Sequence, residues 1–66
     1  MIGKNIKDSR HAIGISQEKL ASILGVARTT VANWERNFSS PDISTIKKLK
    51  TIFKCTYDEL LDGRNH

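Results

Sequence analysis

The sequence predicts an all-α domain of five short helices, and three observations carry that reading. Apolar residues recur at helical spacing in successive segments, and no strand candidate of useful length is found. Residues that start helices (Ser16, Asp42, Thr56) alternate with residues that stop them (Gly14, Gly25, Asn37) at helix-length intervals. Little is left over: Phe38-Ser-Ser-Pro41 is the one stretch that reads as a real loop.

The first helix is expected over Ile2–Ala12. Ile2, Ile6 and Ile13 lie on one face, Lys4, Lys7, Asp8 and His11 around the rest, and Gly14 ends it. Ser16 is a good N-cap for the second helix, because its hydroxyl can accept from a first-turn N–H. That helix aligns Leu20, Ala21 and Leu24 and ends before Gly25, where only glycine enters the left-handed region without steric cost. Val26 re-enters the core. The third helix is expected over residues 28–36, with Val31, Trp34 and Phe38 as an apolar stripe at i, i+3, i+7 and Asn37 at its stop. Two helices crossing steeply need a small residue at their closest approach, and Ala21 supplies it; the pair reads as a helix-turn-helix.

Asp42 caps a fourth helix with Ile43, Ile46, Leu49, Ile52 and Phe53 inward and Lys47, Lys48, Lys50 and Lys54 outward. Thr56-Tyr-Asp-Glu59 is a capping box that opens a fifth helix holding Leu60 and Leu61. Gly63 ends it, and residues 64–66 read as a frayed tail. The 66 residues form one domain, with a core over residues 2–63. So short a chain buries only about 60% of the surface its unfolded form exposes, which leaves no room for a large substrate cavity.

Once the core positions of the third helix are assigned, Arg28, Thr29, Ala32, Asn33 and Arg36 remain on its other face. This face is weakly hydrophobic and rich in hydrogen-bonding groups, which suits the floor of a DNA major groove. Asparagine pairs bidentately with adenine and arginine with guanine; Arg28 can equally take a phosphate. The bland alternative is a merely solvated helix face. Trp34, on the apolar side, reads as packing rather than as a stacking platform, and the lysines of the fourth helix as solvation with a salt-dependent attraction to polyanions.

Charge agrees with a polyanionic partner: the net value is +4 and the sequence pI 9.6. Residues 1–54 carry ten Lys and Arg against four acids, while residues 55–66 carry Arg64 against Asp58, Glu59 and Asp62, so the C-terminal end should face away from that partner. The lone Cys55 allows no internal disulfide, fits a reducing, cytoplasmic setting, and is expected to pack as a small hydrophobe beneath the fifth helix. His11, His66 and Cys55 lack metal-ligand spacing; there is no phosphate-cradling glycine loop, acid–base pair, membrane span or signal-peptide core. No cofactor, metal, membrane association or enzymatic activity is expected.

Ile2-Gly-Lys-Asn-Ile-Lys, Gly14-Ile-Ser-Gln17, Leu20-Ala21, Leu24-Gly25-Val26, Trp34-Glu35-Arg36, Ser40-Pro41-Asp42 and Asp58-Glu-Leu-Leu61 together resemble the lambda-repressor-like DNA-binding domains, the Cro and CI type or Xre family. The similarity covers residues 2–63, and Met-Ile-Gly with Glu35-Arg-Asn37 also resembles the Sin-type regulators. The resemblance implies a compact five-helix domain and assigns roles. Arg28, Thr29, Ala32 and Asn33 are expected to read bases. Gln17, Lys19, Thr30 and Arg36 are expected at phosphates, as are Asn37, Phe38, Ser39 and Ser40 through the backbone N–H groups of the loop. Arg10 and Glu35 are expected to form a buried interhelical ion pair.

Three residues depart from the family pattern. Ala27 replaces the usual capping Ser or Thr, at a cost of about 1 kcal/mol. Lys19 replaces a Glu near a positive helix end, which a nearby phosphate would explain. Lys54 stands where glycine usually ends the fourth helix, implying a strained residue or a different turn.

Two function classes follow. The first is a sequence-specific double-stranded DNA-binding transcriptional regulator, a repressor by preference, working as a homodimer on a pseudo-palindromic operator. The second is an antitoxin-like or anti-activator module of the same fold, whose main partner is a regulatory protein. A nonspecific architectural binder is disfavoured, because the third helix offers few cations and many readers of base edges. One recognition helix covers too few base pairs, whereas a two-fold dimer sets two of them about 34 Å apart. With the third helix facing DNA and the lysine face self-repelling, Tyr57, Leu60 and Leu61 on the fifth helix are the expected dimer contact, small and weak.

Overall fold

Side-chain caps set where the helices begin. The structure, a computed structural model, describes residues 2–62 and contains α1 (Ile2–Ala12), α2 (Gln17–Leu24), α3 (Arg28–Glu35), α4 (Ile43–Phe53) and α5 (Tyr57–Asp62). The Lys19 N–H donates to Ser16 Oγ at 3.0 Å and the Thr45 N–H to Asp42 Oδ1 at 2.8 Å. The capping box of α5 is complete: the Glu59 N–H donates to Thr56 Oγ1 at 3.1 Å and the Thr56 N–H to Glu59 Oε1 at 2.8 Å. Ala27 gives α3 no side-chain cap. The expected ends at Gly63 and the 64–66 tail lie outside the described residues.

Left-handed residues set where helices stop. Gly25 takes φ 74°, and its N–H returns to the Ala21 and Ser22 carbonyls. Asn37 (φ 61°) and Lys54 (φ 54°) take the same conformation with a Cβ to accommodate. Lys54 therefore keeps the turn that glycine makes elsewhere and carries its strain. Arg36 is the C-cap of α3, so that helix ends one residue earlier than the sequence spacing implies.

Ile6, Leu20, Ala21, Leu24, Val31, Trp34, Leu49, Phe53 and Leu60 form a single core drawn from all five helices. Ile2, Ile15, Val26, Ile46, Ile52 and Cys55 pack against its edges. Ala21, 2% exposed, is a small buried residue of α2, the helix that packs on α3. Three apolar expectations are corrected. Phe38 is 69% exposed, because the left-handed Asn37 turns the chain out of the α3 register before it. Ile43 is 72% exposed, because the first turn of α4 extends past the core that Leu49 and Phe53 reach. Ile13 follows the end of α1 and is 44% exposed, off the face that Ile2 and Ile6 share.

α1 is the hub and lies against both α3 and α5. Gly3 sits where an added Cβ would collide with the Trp34 carbonyl oxygen, so any side chain forces α1 off α3. Its N–H donates to Asn37 Oδ1 at 3.2 Å, so Asn37 both ends α3 and helps cap α1. Asn5, buried, donates from Nδ2 to the Leu60 carbonyl at 2.8 Å and fastens α5 to α1.

Candidate nucleic-acid interface

Val31 and Trp34 anchor α3 in the core, which fixes what its other face can show. Arg28 and Thr29 are exposed, and Thr30, Ala32 and Asn33 are half-buried. Gln17 and Lys19, at the start of α2, are half-buried and exposed respectively. The structure thus brings the expected base-facing residues together on one short helix.

Beneath that face runs a chain of hydrogen bonds that begins in α1. Arg10 grips Glu35 with two prongs, Nε to Oε2 at 2.7 Å and Nη2 to Oε1 at 3.1 Å. The two side chains are 9% and 3% exposed. The third arm of the guanidinium, Nη1, donates to the Ile15 carbonyl at 2.8 Å. Nη2 also meets His11 Nε2 at 3.1 Å, and since arginine only donates, that ring nitrogen accepts. Glu35 Oε1 accepts a further bond from Gln17 Nε2 at 3.0 Å, and Gln17 Oε1 accepts from Arg28 Nη1 at 3.3 Å. Both ends of the Gln17 carboxamide are therefore held, and a buried charge pair is wired to the first residue of α3. Burial alone pushes the Glu35 carboxyl up, but the Arg10 and Gln17 hydrogen bonds and the Arg10 charge outweigh it and hold the group below its ordinary value. Asn5, Gly3 and the buried Pro41 are structural residues without an assigned role in the sequence reading; an asparagine amid the apolar face of the first helix was the available signal for the first.

At the other end of α3 the arrangement differs from the expected nest of backbone donors. The Asn37 N–H returns to the Trp34 carbonyl at 3.0 Å, and the Phe38 and Ser39 N–H groups return to the Asn33 carbonyl at 2.9 and 3.4 Å. These three donors close the helix, and of the four expected donors only the Ser40 N–H is not engaged in this way. The exposed groups at this corner are side chains: Arg36, whose guanidinium carbon lies 4.5 Å from the centroid of the Phe38 ring, and the hydroxyls of Ser39 and Ser40.

The fifth helix also requires a correction. Leu60 is completely buried in the domain's own core and has no surface to give to a second copy. Tyr57 (40% exposed) and Leu61 (44%) remain outside, with Lys50 Nζ 4.7 Å from the Tyr57 ring centroid. A groove of about 330 Å³ between α1 and the α4–α5 junction, lined by Lys4, Asp8, Ile13, Phe53, Cys55 and Glu59 among others, uses no residue of α2 or α3. Burial, with help from Glu59, pushes the Cys55 thiol up, away from a nucleophilic thiolate. Among the described residues no helix is long and apolar enough to cross a membrane, and no group of three acidic, His or Cys side chains is placed to hold a metal.

Two short helices meeting over a small residue, the second anchored on one side and bare and polar on the other, define a helix-turn-helix protein. The helix-turn-helix family model matches residues 6–60, and the chain belongs to that family. It is similar to the Bacillus subtilis HTH-type transcriptional regulator ImmR, 32% identical over 91% of this chain and 47% of ImmR. It is also similar to SinR of the same organism, 33% identical over 98% of this chain and 60% of SinR. The P22 c2 repressor, solved in complex with a synthetic operator, shares its fold with a TM-score of 0.87 and 28% identity, over 97% of both chains. The chain spans about half the length of the first two curated relatives it matches.

Proposed function

We propose that this domain is the DNA-reading part of a transcriptional regulator, a repressor by preference, that lays α3 in the major groove of double-stranded DNA. One observation carries the reading. The outward face of α3 is polar and contributes nothing to the core, on a fold shared with a repressor solved on its operator. Arg28, Thr29, Ala32 and Asn33 then face base edges. Gln17, Lys19 and Thr30 flank them at the sugar–phosphate backbone, with Arg36, Ser39 and Ser40 at the far end. The held Gln17 amide and the Arg10–Glu35 pair keep α2 and α3 in one register, so the readers reach the groove preorganised. A homodimer, joined through Tyr57 and Leu61, would present two such helices to the two halves of a pseudo-palindromic operator.

Titration against a duplex recovered by in vitro selection and against random duplex, at two salt concentrations, tests this. A regulator prefers its selected duplex by about a thousandfold or more. Equal binding to both duplexes would point to a nonspecific binder, and binding to neither would leave the partner-protein module as the surviving reading.

A further inference from the structure

Phe38 is a large aromatic residue kept in water next to the end of α3, where it adds nothing to the core. It is also the residue on which Arg36 rests. Three of the four backbone donors at the same corner, those of Asn37, Phe38 and Ser39, are spent on α3 itself, so a phosphate approaching beside Phe38 meets the Arg36 side chain rather than those N–H groups. A guanidinium held over a ring by its cation–π attraction makes no hydrogen bond to it, so its N–H groups stay available for an oxygen acceptor. Arg36 is also the C-cap of α3, where the negative helix end favours a cation.

We propose that Phe38 is a positioning residue: its ring holds the Arg36 guanidinium aimed at a backbone phosphate flanking the bases under α3. The side-chain pair takes the place of backbone N–H groups as the phosphate clamp at this corner. The inference rests on the DNA reading proposed above.

The test uses the full chain on the selected duplex and on random duplex, over a salt series. Phe38→Ala weakens binding to both by about five- to tenfold at low salt and lowers the slope of log K against log salt by about 0.9 per bound domain. Phe38→Leu, which keeps apolar bulk without a ring, behaves like Phe38→Ala, and Phe38→Trp restores wild-type affinity and slope. Arg36→Ala shows the same loss, and the double variant loses no more than either single one. The melting temperature of the Phe38 variants stays at the wild-type value, as the exposed ring requires. An unchanged salt slope in Phe38→Ala, or additive losses with Arg36→Ala, overturns the positioning role alone. A wild-type chain that binds neither duplex overturns the DNA reading and this inference together.

Discussion

Glu35 shows how much a single carboxylate can carry in a small domain. It takes three hydrogen bonds from Arg10 and Gln17 and is almost wholly enclosed. Glu35→Ala leaves the Arg10 guanidinium buried and uncompensated, at a cost of about 3–5 kcal/mol. At roughly 0.05–0.15 kcal/mol per residue that is a large share of what a chain of this size has, so the variant should melt near room temperature. A melt within a degree or two of wild type would remove the pair from the account. The pH dependence follows from the same contacts. The folded pKa of Glu35 lies below the unfolded one, so its stabilisation is complete above the unfolded value and lost as pH falls through the folded value. The midpoint of thermal unfolding should therefore fall as pH drops below about 4.3, and Glu35→Gln should show less of that fall. Asn33 belongs to the other side of the same helix. Asn33→Ala is expected to lose about 1–3 kcal/mol on the selected duplex and almost nothing on random duplex. Equal losses on both would mean that Asn33 touches backbone, not bases.

The helix ends are where the sequence and the physics of the chain can be compared one element at a time. Starts were legible, because Ser16, Asp42 and Thr56 act locally through a hydroxyl or carboxylate three residues from its donor. So was the α2–α3 turn, where Gly25 is needed for its left-handed backbone and Ala21 for its size. Positions at or just beyond a helix end were not legible. Phe38, Ile43 and Ile13 fit an extrapolated period, but the period ends with the hydrogen-bond ladder, and a left-handed residue or a cap redirects what lies beyond. Nor does the sequence alone say which of Leu60 and Leu61, adjacent and chemically alike, enters the core; Leu60 does, and Asn5 bonds to its carbonyl. Two substitutions test the element ends. Ala27→Ser adds the missing cap of α3 and should stabilise by about 1 kcal/mol in denaturant titration. Lys54→Gly relieves left-handed strain and should stabilise by roughly 0.5–1 kcal/mol, after the entropy glycine adds to the unfolded chain is offset. Asn37→Gly, at the same φ, should not stabilise, because it gives up the bond to the Gly3 N–H.

At the scale of the molecule, the proposed DNA-facing surface and the candidate dimer contact fall on different helices. α3 and its flanks meet DNA in the proposed reading, and Tyr57 and Leu61 present apolar area where the chain turns acidic. With Leu60 withdrawn into the core, that area is small, and the dimer should be weak in the absence of DNA. Polar replacement of Tyr57 and Leu61 should leave the melt near wild type and abolish cooperative occupation of a two-half-site duplex; sedimentation and a binding isotherm report it. Variants that remain cooperative would move the interface elsewhere.

The bond from Asn5 to Leu60 joins residues 55 positions apart, and Leu60 belongs to the same core as Ile6 of the opening helix. Synthesis on a ribosome delivers α1 to α4 before Leu60. The nascent chain must therefore wait, with Ile6, Leu49 and Phe53 unroofed, until Leu60 has cleared the exit tunnel. Closing so distant a pair costs loop entropy that is recovered only once α5 is present. Acquisition of the native state should thus be a late, all-or-none event in translation, readable as protease resistance in arrested nascent chains that appears only once α5 has emerged.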